Sequence, residues 1–149
     1  RQQGVVSRSQ LEALGLSRSA IGHRLAQERL HRVHLGVYAV GHARLSPAGH
    51  RWAAVLAGGD GAVGSHQTAA AQWDVRSLRG GAQHVTVLPG DGSRSRRGLR
   101  VHRTKLTEED VTERDGLRVT TLARTLVDLG AGDAVAEVLL LSTCNRIEA

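Results

Sequence analysis

Two short spacings in this sequence carry residue types that chemistry needs. Ser65-His66 sets a hydroxyl beside an imidazole, the pairing of a nucleophile with a general base. His31-x-x-His34 offers two imidazoles to a metal ion. Neither spacing favours the chemistry: neighbours on a helix do not face each other, and residues three apart on a strand point to opposite faces. The sole lysine, Lys105, has Arg103 two places before it and Leu106 after it. That excludes the acid-x-Lys motif of restriction-type nucleases and the Gly-Lys-Ser/Thr of a phosphate-binding loop. Gly58-Gly59-Asp60-Gly61 lacks the dinucleotide-binding pattern. The single cysteine, Cys144, supports neither an internal disulfide nor a cysteine-based zinc site. The sequence therefore predicts no catalytic residue, no metal ligand set and no cofactor, and a protein that is not an enzyme.

The remaining chemistry is that of phosphate. Of the 20 basic residues 19 are arginine, the side chain suited to bidentate phosphate contact, and the formal net charge is +6 with a pI near 11.1. The charge is unevenly spread. Residues 1–45 balance to +5, residues 46–106 to +6 and residues 107–149 to −5. A basic body with an acidic end is the electrostatic footprint of a nucleic-acid binder, equally open to other anions; with the helix-turn-helix and wing described below, duplex DNA is the expected partner, and a protein-interaction scaffold using the acidic end is a different reading.

Helical signals place the first basic group. Ser7-Arg8-Ser9-Gln10 matches a capping box, Val6 and Leu11 are spaced as a hydrophobic staple, and Gly15 suits the residue after the helix. These predict a helix over 8–14. Ser17 then caps a second helix over 18–27, and two short helices so joined form a helix-turn-helix. On the second helix Ile21 and Leu25 share a stripe, with Ser19, His23 and Gln27 opposite. Arg8, Ser17, Arg18, Ser19, Gly22, His23, Arg24 and Gln27 are the candidate DNA contacts, with Ser19, Gly22 and His23 nearest base edges. Leu30–Val33 and Gly36–Val40 are β-prone runs flanking His34-Leu35, with Gly36 free for a left-handed bulge position. This basic hairpin reads as a wing carrying Arg29, His31, Arg32 and His34.

The run from Gly4 to Ile21, with Leu30-His-Arg-Val-His and Gly36-Val-Tyr-Ala-Val-Gly41, resembles the N-terminal winged-helix domain of AbiEi-type antitoxins of type IV (abortive infection) toxin–antitoxin systems. The likeness continues through Ser65-His-Gln-Thr-Ala-Ala-Ala-Gln-Trp73 and Val119-Thr-Thr-Leu-Ala-Arg-Thr-Leu-Val-Asp-Leu129. It implies a DNA-binding transcriptional regulator that represses its own operon at inverted repeats and opposes a nucleotidyltransferase-like toxin functionally rather than by direct contact. Similar proteins often continue into a nuclease domain related to very-short-patch-repair endonucleases. The alternative reading is accordingly the DNA-targeting half of such an enzyme, its catalytic domain absent from this chain. Two residues depart from the family pattern: Glu28 stands where glycine is usual before the wing, and Leu35 where a basic residue often precedes the wing glycine.

Beyond the wing, Ser46-Pro47 opens a helix over 47–57 with Trp52, Val55 and Leu56 inward and Gly58-Gly59 as its stop. Ser65 caps a short helix from Gln67 to Trp73. Gln83–Val87 and Leu99–Arg103 alternate as strands around a flexible loop, where Arg94, Arg96, Arg97 and Arg100 make a second basic patch. Glu108, Glu109 and Asp110 follow a Thr107 cap and predict a helical turn. Val111–Val119 predicts a hairpin turned at Asp115-Gly116. Helices over 120–129 and 133–141 are expected to bury Leu122, Leu126, Leu129, Val135, Val138 and Leu139, with Arg124 and Asp128 paired across one turn.

The expected fold is α+β: a winged helix-turn-helix over 1–45 and a small mixed domain over 46–149. No apolar run nears the roughly 18 residues of a membrane span, and the arginine-rich start lacks a secretory signal. A cytoplasmic bacterial protein is expected. The absence of methionine predicts a fragment or a trimmed start, and the resemblance implies a chain truncated at its C-terminus.

Overall fold

Ser7 begins the first helix as its sequence predicts. Its hydroxyl accepts from the amide of Gln10, and the Gln10 side chain accepts from the amide of Ser7, closing the capping box. In this computed structural model, which describes residues 2–76 and 81–131, the chain forms an α+β protein of two compact units, Arg1–Asp60 and Gly61–Ala149. The expected helix over 133–141, with Val135, Val138 and Leu139, lies outside the described residues. Among the described residues no helix is long and apolar enough to cross a membrane.

The first unit runs β1 (Val5–Ser7), α1 (Arg8–Ala13), α2 (Arg18–Ala26), β2 (Leu30–His34), β3 (Val37–Val40) and α3 (Pro47–Ala57). The strands make an antiparallel sheet in the order β1-β3-β2. Leu11 of α1, Ile21 of α2, Leu30 and Tyr38 form one buried cluster, joined by Val6, Leu16 and Leu25. Val5, Val37 and Ala53 form another with Val33, Leu45, Trp52 and Leu56. The sheet thus has α1 and α2 on one face and α3 on the other. Because α3 seals that second face, the first unit extends to Asp60 instead of stopping at the wing.

The turn of the hairpin sits one residue later than the sequence indicates. β2 continues through His34, a bulge between Arg32 and His34 shifts the register, and Leu35-Gly36 makes the turn with Gly36 at φ +74°. The Arg8 amide donates to the Gly36 carbonyl at 2.7 Å, tying the turn to the start of α1.

Both N-terminal helices end in a Schellman motif. After α1, Gly15 donates to the Glu12 carbonyl and Leu16 to the Leu11 carbonyl; after α2, Glu28 donates to Leu25 and Arg29 to Arg24. The motif needs a left-handed residue at the first position past the cap. Gly15 supplies it at φ +86°, but α2 places Glu28 there at φ +55°. The helix exit survives the departure from glycine, at a conformational cost.

The second unit runs β4 (Val63–Gly64), α4 (His66–Gln72), β5 (Gln83–Val87), β6 (Leu99–Arg103), a 3-10 turn (Glu108–Asp110), β7 (Val111–Arg114), β8 (Leu117–Thr120) and α5 (Leu122–Gly130). Its five strands lie in the order β6-β5-β4-β8-β7. β5 and β6 are parallel and in register from Gln83↔Leu99 to Val87↔Arg103, so the segment between them runs back along the strand instead of turning tightly. β4, unpredicted, is the central strand, antiparallel to β5 and parallel to β8. Gly64 packs closely there, since a Cβ would lie 3.2 Å from Val119 Cγ1. Asp115 and Gly116, both at positive φ, turn the β7–β8 hairpin as predicted.

The Arg124–Asp128 pair forms at 2.8 Å, and Arg124 also reaches Asp110 at 3.2 Å. The Asp110 carboxylate accepts from the Thr107 amide and hydroxyl, and these bonds and Arg124 hold it below the usual carboxylate range. On α5 the buried stripe passes through Thr125 and Leu129, with Leu126 partly buried. Leu122, expected inside and on the same face by helical period, is exposed, while Thr125 lies inside and bonds Thr120 and the Thr121 carbonyl.

Replacing Glu28 by Gly is expected to stabilise the protein by about 1 kcal/mol in urea unfolding, by removing a left-handed L-residue. Gly15→Ala, at the equivalent position of α1, is expected to destabilise it by a similar amount.

Candidate nucleic-acid interface

α2 is anchored by few side chains. Ile21 is its one buried residue and Leu25 is half-buried, which turns the rest of the helix outward. Arg18, Ser19, Gly22, His23 and Gln27 are exposed together along that outer side. The structure brings together the residues expected on this helix face, though not all in the same state.

Ser17 is committed to capping: its hydroxyl accepts from the Ala20 amide at 3.2 Å and lies 2.9 Å from the Ser19 hydroxyl. Arg24 is half-buried and donates to the Ala20 carbonyl at 3.2 Å, so its guanidinium is partly engaged within the helix. Arg18 has Glu12 3.8 Å away, but both side chains are well exposed, and such a pair contributes little.

A shallow crevice opens beside α2, with Arg8, Arg18 and Arg32 around Gly22 and Tyr38. Tyr38 is buried, and its hydroxyl accepts from Arg8 Nη2 at 3.3 Å, which fixes one guanidinium at the crevice. Arg32 stands opposite Tyr38 in the sheet and is exposed. Three cations from α1, α2 and β2 therefore converge where no acidic side chain lines the crevice. Sequence reasoning named these arginines singly; the crevice itself depends on the Arg32↔Tyr38 register and on where α2 packs.

The other residues expected on the wing are more dispersed. Arg29 is exposed in the connection from α2 to β2. His31 and His34 are half-buried, His31 opposite Ala39 and His34 opposite Val37. The exposed Leu35 occupies the hairpin tip.

In the second unit Arg94, Arg97 and Arg100 are exposed, while Arg96 is half-buried and exchanges backbone bonds with Leu99 at 2.9 Å. Their loop, expected to be flexible, is pinned along its length. Ser93 donates to Asp91, the Ser95 hydroxyl accepts from the Val101 amide, and the Arg103 guanidinium donates to the Ser93 carbonyl.

The Ser65-His66 pair also differs from its sequence reading. His66 Nδ1 lies 3.0 Å from the Ser65 hydroxyl, because Ser65 is extended at φ −139° and His66 has φ +48°, so the two are not successive helical residues. Ser65 is fully buried and makes no capping bond through its side chain; its hydroxyl accepts from Thr86. Burial keeps that oxygen from any substrate.

Residues 1–41 match the sequence profile of the family described as "Transcriptional regulator, AbiEi antitoxin". This N-terminal segment is AbiEi-like, and the match ends at Gly41, just after β3. No curated protein matches the chain.

Gly22 tests whether the open face is built for stability or for approach. A Cβ added there meets nothing within 4 Å. Gly22→Ala is expected to raise stability by about 0.5–1 kcal/mol through helix propensity alone, read as a higher Tm.

Proposed function

We propose that the protein is a DNA-binding transcriptional regulator, a winged helix-turn-helix antitoxin of a type IV system that represses its own operon. α2 enters the major groove and the β2–β3 hairpin acts as the wing. One observation carries this reading: the outer face of α2 is uncovered and polar, and Arg8, Arg18 and Arg32 flank it. A helix about 10–12 Å across fits a groove about 12 Å wide. Glycine at position 22 lets the backbone approach base edges, with Ser19 and His23 on either side of it. The arginines supply phosphate contacts that fix register without reading sequence.

The AbiEi-like match over residues 1–41 supports the regulator role. Opposition to a nucleotidyltransferase-like toxin follows from the resemblance and needs no contact with it, since repression acts on the operon.

The test is fluorescence anisotropy of the full chain on duplex DNA from upstream of its own gene, across a salt series. Affinity should fall with a log–log slope of about −0.9 per phosphate neutralised. Arg18→Ala and Arg32→Ala should each weaken binding on all sequences and reduce the slope by about 1, while Ser19→Ala and His23→Ala should alter sequence preference. Gly22→Ala should lose affinity while gaining stability. Binding that ignores all five substitutions would refute the docking.

Leu35 gives the converse experiment. A basic residue at the exposed tip adds a phosphate contact, so Leu35→Arg should tighten binding at low salt and steepen the slope by about 1.

A further inference from the structure

His66, His84 and His102 are distant in sequence, and no spacing rule links them. The second unit brings them together. His84 lies on β5 and His102 on the adjacent parallel β6, where His102 is opposite Thr86. Residues two apart on a strand share a face, so His84, Thr86 and His102 point to the same side of the sheet. Thr86 bonds Ser65, and Ser65 sets the start of α4 and the ring of His66 over that side. One ring nitrogen from each histidine lies within 4.8 Å of the other two, and all three residues are half-buried. The expectation of no metal ligand set, drawn from the His31-x-x-His34 spacing and the single cysteine, could not anticipate this grouping.

We propose that His66, His84 and His102 form a binding site for a divalent transition-metal ion of the Zn2+ type.

Geometry supports it. Zn–N bonds of about 2.0–2.1 Å in a tetrahedron put neighbouring nitrogens about 3.3 Å apart. His84 Nδ1 and His102 Nε2 are 3.0 Å apart. The His66 and His102 rings stack at 3.7 Å between centroids, so joint ligation requires the rings to turn and the hydrogen bond between His84 and His102 to be given up. Three imidazoles suit zinc and its neighbours rather than calcium or magnesium, and they leave a fourth position open to water or another ligand.

A neighbouring hydroxyl orients one of the rings. A Nδ1–H donated by His66 to the buried Ser65 hydroxyl leaves Nε2 as the ligand atom and holds the ring in place, the outer-shell arrangement typical of metal-bound histidine. Asp128 favours positive charge at His66 and His102; Arg124 opposes it at His66, and Arg100 opposes it at His84 and His102. His66 itself adopts φ +48°, a left-handed conformation costly for a non-glycine residue and of the kind that accumulates at ligand clamps.

The test titrates the chelator-stripped 149-residue chain with Zn2+ by calorimetry, and with Co2+ by visible absorption. One equivalent should bind saturably in the micromolar range or tighter, and Co2+ should give the absorption bands of a four-coordinate site. His84→Gln and His102→Gln should each weaken binding at least about tenfold, whereas the double variant His31→Gln, His34→Gln should bind as before. If the cluster variants misfold, imidazole 15N shifts of the unaltered protein replace them: addition of Zn2+ should move the resonances of His66, His84 and His102. Absence of saturable binding, binding unchanged in the cluster variants, or shifts confined to the other histidines would overturn the proposal.

Discussion

The first unit depends on burying Ile21 against Leu11, Leu30 and Tyr38. α2 has no other fully buried side chain, so this single apolar contact, with Leu25 beside it, sets the helix's rotation about its own axis. Burying such a side chain contributes roughly 1.5–3 kcal/mol, enough to decide orientation while leaving most of the helix circumference free. The outward face is polar because nothing on that side needs covering. Backbone bonds complete the placement: two Schellman ends set the short turns, and the Arg8–Gly36 bond couples the hairpin to α1.

The basic crevice follows from these constraints rather than from charge alone. Net positive charge would be satisfied by arginines anywhere on the surface. Here the register of β2 on β3 puts Arg32 opposite Tyr38, the capping box starts α1 so that Arg8 reaches the Tyr38 hydroxyl, and the cap at Ser17 starts α2 at Arg18. Three local rules, each satisfied for its own reason, deliver three guanidiniums to one place.

The second unit is organised differently, around buried polar groups that bond one another. Thr86 meets Ser65, Thr68 accepts from the His84 amide and donates to Gln83, and Thr125 meets Thr120 and the Thr121 carbonyl. Such groups are tolerated inside only when partnered, and a satisfied network fixes relative positions more narrowly than apolar contact does. Gly64 permits the close strand packing that brings α4 over this network. The histidine cluster is a product of that precision.

Local signals in the sequence determined the caps at Ser7, Ser17 and Ser46, the Asp115-Gly116 turn, the alternating strands and the Arg124–Asp128 pair, because each depends on residues within one or two turns of chain. The left-handed site at Glu28 was visible as a missing glycine, and the candidate face of α2 followed from helical period. What tertiary structure decided is non-local: the parallel pairing of β5 with β6, the two-residue strand β4, the burial of Thr125 in place of Leu122, and the meeting of His66, His84 and His102. Periodicity tells which side of a strand is apolar but not which strand lies next to it, and two residues are too few to show a period at all. Side chains far apart in sequence acquire a common chemistry only when strand order and register have been chosen, and that choice is made by the packing of the whole unit.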